Sequence, residues 1–178
     1  MKNSRTFLSL ALPIVALVAM IGQAELNQGR GEIWEIKIRG YDPRDLLRGH
    51  YLAFRFDWNW AMDHGACTGG DCCLCLTKVN GSRTNPQVKA MSCSLAETCD
   101  ARIRGMMGAG EFVTGYERYD IPEMQAVELE QNVRDKRASV LISIQKSGAI
   151  ALKDLLVDGE PWKQKIMAHH PKGVTLPR

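Results

Sequence analysis

Six cysteines, Cys67, Cys72, Cys73, Cys75, Cys93 and Cys99, fall within 33 residues, and the rest of the chain has none. Thiols gathered in this way can pair as disulfides, ligate a metal or exchange electrons. In an exported domain an even, clustered set reads first as disulfides. The rival is a zinc site built from Asp63, His64, Cys67 and the CCLC stretch at 72–75, and a redox exchange centre is the third reading. Six cysteines allow fifteen pairings, and their spacing does not choose among them. One constraint comes from strand geometry: Cys73 and Cys75 point to one face and Cys72 to the other, and neighbours such as Cys72 and Cys73 rarely bond each other.

Other residues that could do chemistry have simpler explanations. Asp42, Arg44, Asp45 and Arg48 form a polar group at the entrance to a strand, but helix capping and local ion pairs account for all four. His50 and Tyr51 are an acid–base pair by type, yet on an alternating strand they face opposite sides. Glu117, Arg118 and Tyr119 read as a solvated strand face, and His169-His170 as part of a tail. A membrane-bound peptidase resembling the type I signal peptidases needs a serine in a Ser-x-x-Pro setting, and neither Ser92 nor Ser94 has that proline. No GxxxxGK[ST] or GxGxxG occurs, and the glycines of Gly105-Met-Met-Gly108-Ala-Gly110 precede no helix that could receive a phosphate. The sequence thus assigns no catalytic residue, no metal ligand and no cofactor.

The compartment is set by the N-terminus. Lys2 and Arg5 precede Phe7 to Gly22, which has no charged side chain; through Ala24 the run reaches 18 residues, broken only by Ser9 and Gln23. That is just enough to cross a hydrocarbon core. Residues 1–24 therefore read as a membrane anchor, with the bilayer taken up by 7–24, or as a cleaved signal segment, since Gly22-Gln23-Ala24 offers small residues at the right spacing. Either way the basic N-terminus stays inside, and the chain from Glu25 onward crosses to the periplasm or the cell exterior. The whole chain carries a net charge of +3, and residues 25–178 hold 21 basic against 20 acidic side chains. So slight an excess excludes an electrostatic case for nucleic acid.

The elements that must position these residues are mostly strands. After a linker at 25–31, alternation marks strands at Glu32–Ile38 and His50–Trp58, the latter with Leu52, Phe54, Phe56 and Trp58 on one face. Between them Asp42, Pro43 and Gly49 read as the cap, first position and terminus of a short helix. Asn59–Asp71 reads as a loop. Cys73–Val79 and Gln87–Cys93 form a hairpin with a long loop opened by Asn80-Gly81, and Arg102–Met107 and Glu111–Tyr119 are two more strands. Pro122–Arg137 is an amphipathic helix, acidic early and basic late, with Ala126, Leu129 and Val133 as its buried stripe. Strands at Ser139–Gln145 and Ile150–Val157 flank a Lys146-Ser147-Gly148 turn. The expectation is a mainly β (α+β) fold: one compact antiparallel β domain over 32–165 with one amphipathic helix, preceded by an N-terminal transmembrane helix and succeeded by a flexible tail at 166–178.

The segments YDPRDLLRGHYLAFRF at 41–56 and 119–162 resemble the GDYXXLXY proteins, a bacterial family named for a strand motif. Here the motif reads Gly49-His50-Tyr51-Leu52-Ala53-Phe54-Arg55-Phe56, with His50, Phe54 and Phe56 in place of Asp, Leu and Tyr. The preceding Asp42, Pro43, Arg44, Asp45, Leu46, Leu47 and Arg48 share the likeness, which covers roughly 60 residues. CCLC and the later CDARIRG resemble a cysteine-bearing subset. The resemblance implies a single-pass inner-membrane anchor, a mainly β exported domain, no established activity, and a neighbouring multi-pass membrane protein as partner. Together these readings predict a non-enzymatic accessory or interaction domain, with an exported metal-binding domain using the 67–75 cysteines as the alternative.

Overall fold

The computed structural model describes residues 12–22, 31–40, 51–65, 67, 72–108 and 111–169. Residues 12–22 form helix α1, whose apolar side chains, Leu12, Ile14, Val15, Leu17, Val18, Met20 and Ile21 among them, are exposed. Among the described residues no helix is long and apolar enough to cross a membrane.

Eleven described strands form one curled sheet: β1 (Glu32–Gly40), β2 (Tyr51–Phe56), β3 (Asn59–Gly65), β4 (Cys72–Val79), β5 (Ser82–Ser92), β6 (Ala101–Gly108), β7 (Glu111–Val113), β8 (Arg118–Asp120), β9 (Ala138–Ile144), β10 (Ile150–Val157) and β11 (Glu160–Pro161). The main path runs β11-β10-β9-β1-β5-β4-β6-β7, with β2 and β8 branching from β1 and β3 from β5. Strand β1 is the seam. Its first part pairs with β9 from Glu32↔Ile144 to Lys37↔Ser139, and its last part pairs with β2 from Ile38↔Phe56 to Gly40↔Phe54. The β9–β10 turn then meets β6 from the far side, where the Arg104 amide donates to Gly148 O at 2.9 Å.

The curl encloses one core. Trp34, Ile36 and Ile38 of β1, Leu52, Phe54 and Phe56 of β2, Leu74 and Leu76 of β4, and Val140, Ile142 and Ile144 of β9 are buried at every second position. Helix α2 (Glu123–Arg134) closes it with Leu129 and Val133, and Ala126 packs alongside. A fully buried side chain of this kind contributes about 1.5–3 kcal/mol. On β1 Trp34 shares parity with Ile36 and Ile38 on the buried face, while Ile33 turns outward at 44% exposure.

Several sequence expectations are corrected. The sheet is not wholly antiparallel: β5 runs parallel to β1 at Glu35↔Thr84 and to β3 from Asn59↔Gln87. Side-chain alternation reports which face is buried and carries no information on a neighbour's direction. The Asn59–Asp71 loop contains β3, held by backbone pairing to β5 that is indifferent to its polar side chains. The hairpin loop after Val79 is only Asn80-Gly81, both at positive φ (53° and 77°), so β5 begins at Ser82. Such a mirror-image turn matches the strand twist. The strand expected over Glu111–Tyr119 breaks into β7 and β8 because the Glu117 carboxylate accepts from the Thr114 amide at 2.6 Å and its hydroxyl at 2.9 Å. That local bond competes with the ladder. Helix α2 ends at Arg134, before the left-handed Lys136 (φ 58°). After Pro161 the chain forms α3 (Trp162–His169), its start fixed by the buried Trp162, so the first four residues of the tail expected at 166–178 are helical; 170–178 lie outside the described residues. The short helix expected around Asp42–Gly49 lies outside the described residues.

Candidate functional site: the disulfide-stapled sheet and the motif strand

Strand β4 lies between β5 and β6 and is antiparallel to both, from Cys72↔Ser92 to Val79↔Ser82 on one side and from Cys72↔Gly105 to Leu76↔Ala101 on the other. The chain leaving β5 at the level of Cys72 must return to the level of Leu76 before β6 can start. It does so across one face of β4, through a short 3-10 turn at Ala96–Thr98. Two disulfides pin that crossover, Cys73–Cys93 and Cys75–Cys99, with Cα separations of 4.9 and 5.4 Å. Cys73, Cys93 and Ala96 form a small second cluster there, with Met91 and Cys99 against it. On the opposite face Cys72 joins the main core and bonds Cys67. The alternation expected of Cys72, Cys73 and Cys75 is therefore realised as two bridges on one side and one on the other.

These pairings consume every thiol, so the zinc-binding reading loses its ligands and is not favoured. Asp63 and His64 lie on β3, and no group of three or more His, Cys, Asp or Glu suited to a metal occurs among the described residues. The Ser92 and Ser94 hydroxyls share a 3.1 Å hydrogen bond.

Of the motif segment, Asp42, Pro43, Arg44, Asp45, Leu46, Leu47, Arg48, Gly49 and His50 lie outside the described residues; the strand itself is described from Tyr51. Its inward residues Leu52, Phe54 and Phe56 are core, and Trp58 stacks on Phe56 at 4.8 Å between centroids. Its outward residues meet charges. The Arg118 guanidinium sits 5.0 Å over the Tyr51 ring, and Glu111 of β7 takes both Arg39, at 2.8 Å, and Arg55. The motif strand thus builds the core with one face and ties three strands together with the other.

Tyr119, expected on a solvated face, turns against the core. Its hydroxyl donates to Asp154 Oδ1 at 3.3 Å, and the same oxygen accepts the Leu155 amide at 2.9 Å. Burial pushes its pKa above the ordinary tyrosine value and the Asp154 charge adds to this; the nearby Trp162 indole N–H opposes it without reaching good hydrogen-bond geometry. At the β10–β11 turn Asp158 binds Arg137 through Nε at 2.9 Å and through Nη2, and also binds Lys165. The Arg137 hydrogen bonds, then the one from Lys165, hold its carboxyl well below the usual range. Beside this ion cluster a groove of about 500 Å³ runs along α2, where Met124 and Val127 stand 89% and 75% exposed. Sequence reasoning missed the groove because it used only the buried stripe of α2; Met124 and Val127, three apart, were the available signal.

The model of the GDYXXLXY protein family matches residues 13–155, most of the chain and nearly all the described sheet. The chain belongs to the GDYXXLXY family. No curated protein and no solved structure matches it. For this GDYXXLXY protein, the match spans the motif strand, the stapled crossover, α2 and the β9–β10 pair up to Leu155.

Proposed function

We propose that this GDYXXLXY protein is a non-enzymatic accessory domain, held in the cytoplasmic membrane by residues 7–24, that works outside the cytoplasm beside a multi-pass membrane protein. The observation that carries the reading is the pairing of all six cysteines. Such bridges persist in oxidising compartments and are rare in the cytosol. Two further features support it. Lys2 and Arg5 precede an uncharged apolar run, the charge order that sends the chain beyond the run across the membrane. The exposed Met124 and Val127 beside the α2 groove suit a surface made for contact.

The test joins topology to capture. Alkaline phosphatase and green fluorescent protein fused in turn after Arg178 should give phosphatase activity without fluorescence, and the native chain purified in mild detergent should carry a multi-pass protein with it. Fluorescence without phosphatase activity overturns the placement. A single band eluting as a monomer overturns the partner.

A further inference from the structure

We propose that the end of the sheet where the chain enters the domain, formed by Arg104, Met106, Tyr116 and the turn from Lys146 to Ala149, lies against anionic lipid headgroups of the bilayer that holds residues 7–24. The proposal rests on the anchored placement of those residues proposed as part of the function.

Chain length limits how far this end can travel from the membrane. Seven residues, 25–31, separate the anchor from β1, and they span at most about 25 Å fully extended. Strand β1 begins at Glu32, which pairs with Ile144. The β9–β10 turn starts with the next residue, so its tip lies roughly 10 Å from the point of entry. Strand β6 is fastened to that tip by the Arg104 amide on Gly148 O and by Arg102 Nε on Lys146 O at 3.3 Å.

The surface has the composition of a lipid interface. Arg104, Met106, Tyr116, Gly148 and Ile150 line one shallow groove, in which Met106 is 64% and Tyr116 45% exposed. Ile33, on the strand that enters the domain, is exposed as well. Tyrosine favours the headgroup level, and arginine and lysine lay their stems on apolar surface while keeping the charge in water. The charge is uncompensated: Arg102, Arg104 and Lys146 form no ion pair among the described residues, whereas nearby Arg83 is matched by Glu32 and Lys78 by Asp100. Each basic residue held at an anionic surface strengthens attachment about fivefold. A short tether supplies the proximity that makes so small a patch effective.

The experiment uses the full chain with Tyr116 replaced by a photo-crosslinking benzoylphenylalanine, in phosphatidylcholine vesicles with and without phosphatidylglycerol; Val127 replaced in the same way is the control. Lipid adducts at position 116 should rise several-fold with phosphatidylglycerol and fall back on adding salt, while position 127 stays low. Arg104→Glu combined with Lys146→Glu, both exposed and away from the core, should abolish the rise. Equal adducts at the two positions, indifference to phosphatidylglycerol, or an adduct to protein in native membranes overturns the proposal. Retention on phosphatidylcholine vesicles after an alkaline wash scores the anchor separately. A chain that washes off neutral vesicles yet gives the phosphatidylglycerol-dependent adduct refutes the anchor and upholds the face.

Discussion

The Tyr119 hydroxyl donates to the Asp154 carboxylate at 3.3 Å and thereby joins two arms of the sheet that diverge from β1. Tyr119 belongs to β8, reached through β2, whereas Asp154 sits at the register shift of β10, reached through β9. The bond adds a link between β8 and β10 that the strand ladder does not supply.

Alkaline pH should weaken this link. The folded pKa of Tyr119 is raised by burial and by Asp154, so the folded state holds its proton more tightly than the unfolded chain. The contribution is complete below the ordinary tyrosine value and is lost as pH rises through the folded one. Denaturant titrations from neutral pH to above pH 10 should show a steeper alkaline loss for the native chain than for Tyr119→Phe. Parallel curves would show that Tyr119 has no part in the alkaline loss.

Asp158 predicts the opposite dependence. Its folded pKa is depressed by Arg137 and Lys165, so its contribution is present above the unfolded carboxylate value and disappears as pH falls through the folded one. Asp158→Asn keeps a residue that tolerates the positive φ of 52° and removes the charge. It should lower thermal stability near neutrality, with the difference from the native chain closing in strong acid. A gap that stays constant would mean that the turn geometry and not the ion pair matters.

The crossover staples should dominate stability. Removing Cys73–Cys93 as the double Cys73→Ser, Cys93→Ser variant should cost about 3 kcal/mol in the chain-entropy account, with the loop of sequence separation 20. Cys67–Cys72, with separation 5, should cost about 2 kcal/mol. Unfolding of each double variant under non-reducing conditions gives both numbers. A larger loss for the short loop would show that contacts within the main core, and not loop closure, set the order.

Gly105 is a packing position. A Cβ added there would lie 2.6 Å from Phe112 Cζ and from Val113 O, one of them backbone. Gly105→Ala should therefore destabilise by about 1–3 kcal/mol through overpacking. Gly108→Ala, further along β6 and open around its Cα, should change stability by no more than about 0.5 kcal/mol. Chemical denaturation of the two variants side by side checks the contrast.

What the sequence determined by itself was local. Alternation over 51–56 was enough to place Leu52, Phe54 and Phe56 inside, and the parity of Cys72, Cys73 and Cys75 assigned them to two faces, because side chains two apart on a strand necessarily share a side. Asn80-Gly81 marked where the hairpin turns, though not how short its loop is, and Leu129 and Val133 marked the buried stripe of α2, through backbone preferences and helical spacing that any short window displays. The tertiary structure alone decided which of fifteen cysteine pairings forms, that β5 runs parallel to β1 and β3, and that Tyr119 leaves solvent for Asp154. Each of these depends on residues distant along the chain. Partners of that kind are chosen by the return of the crossover over β4 and by the curl of the sheet, and neither is encoded in the spacing of neighbours.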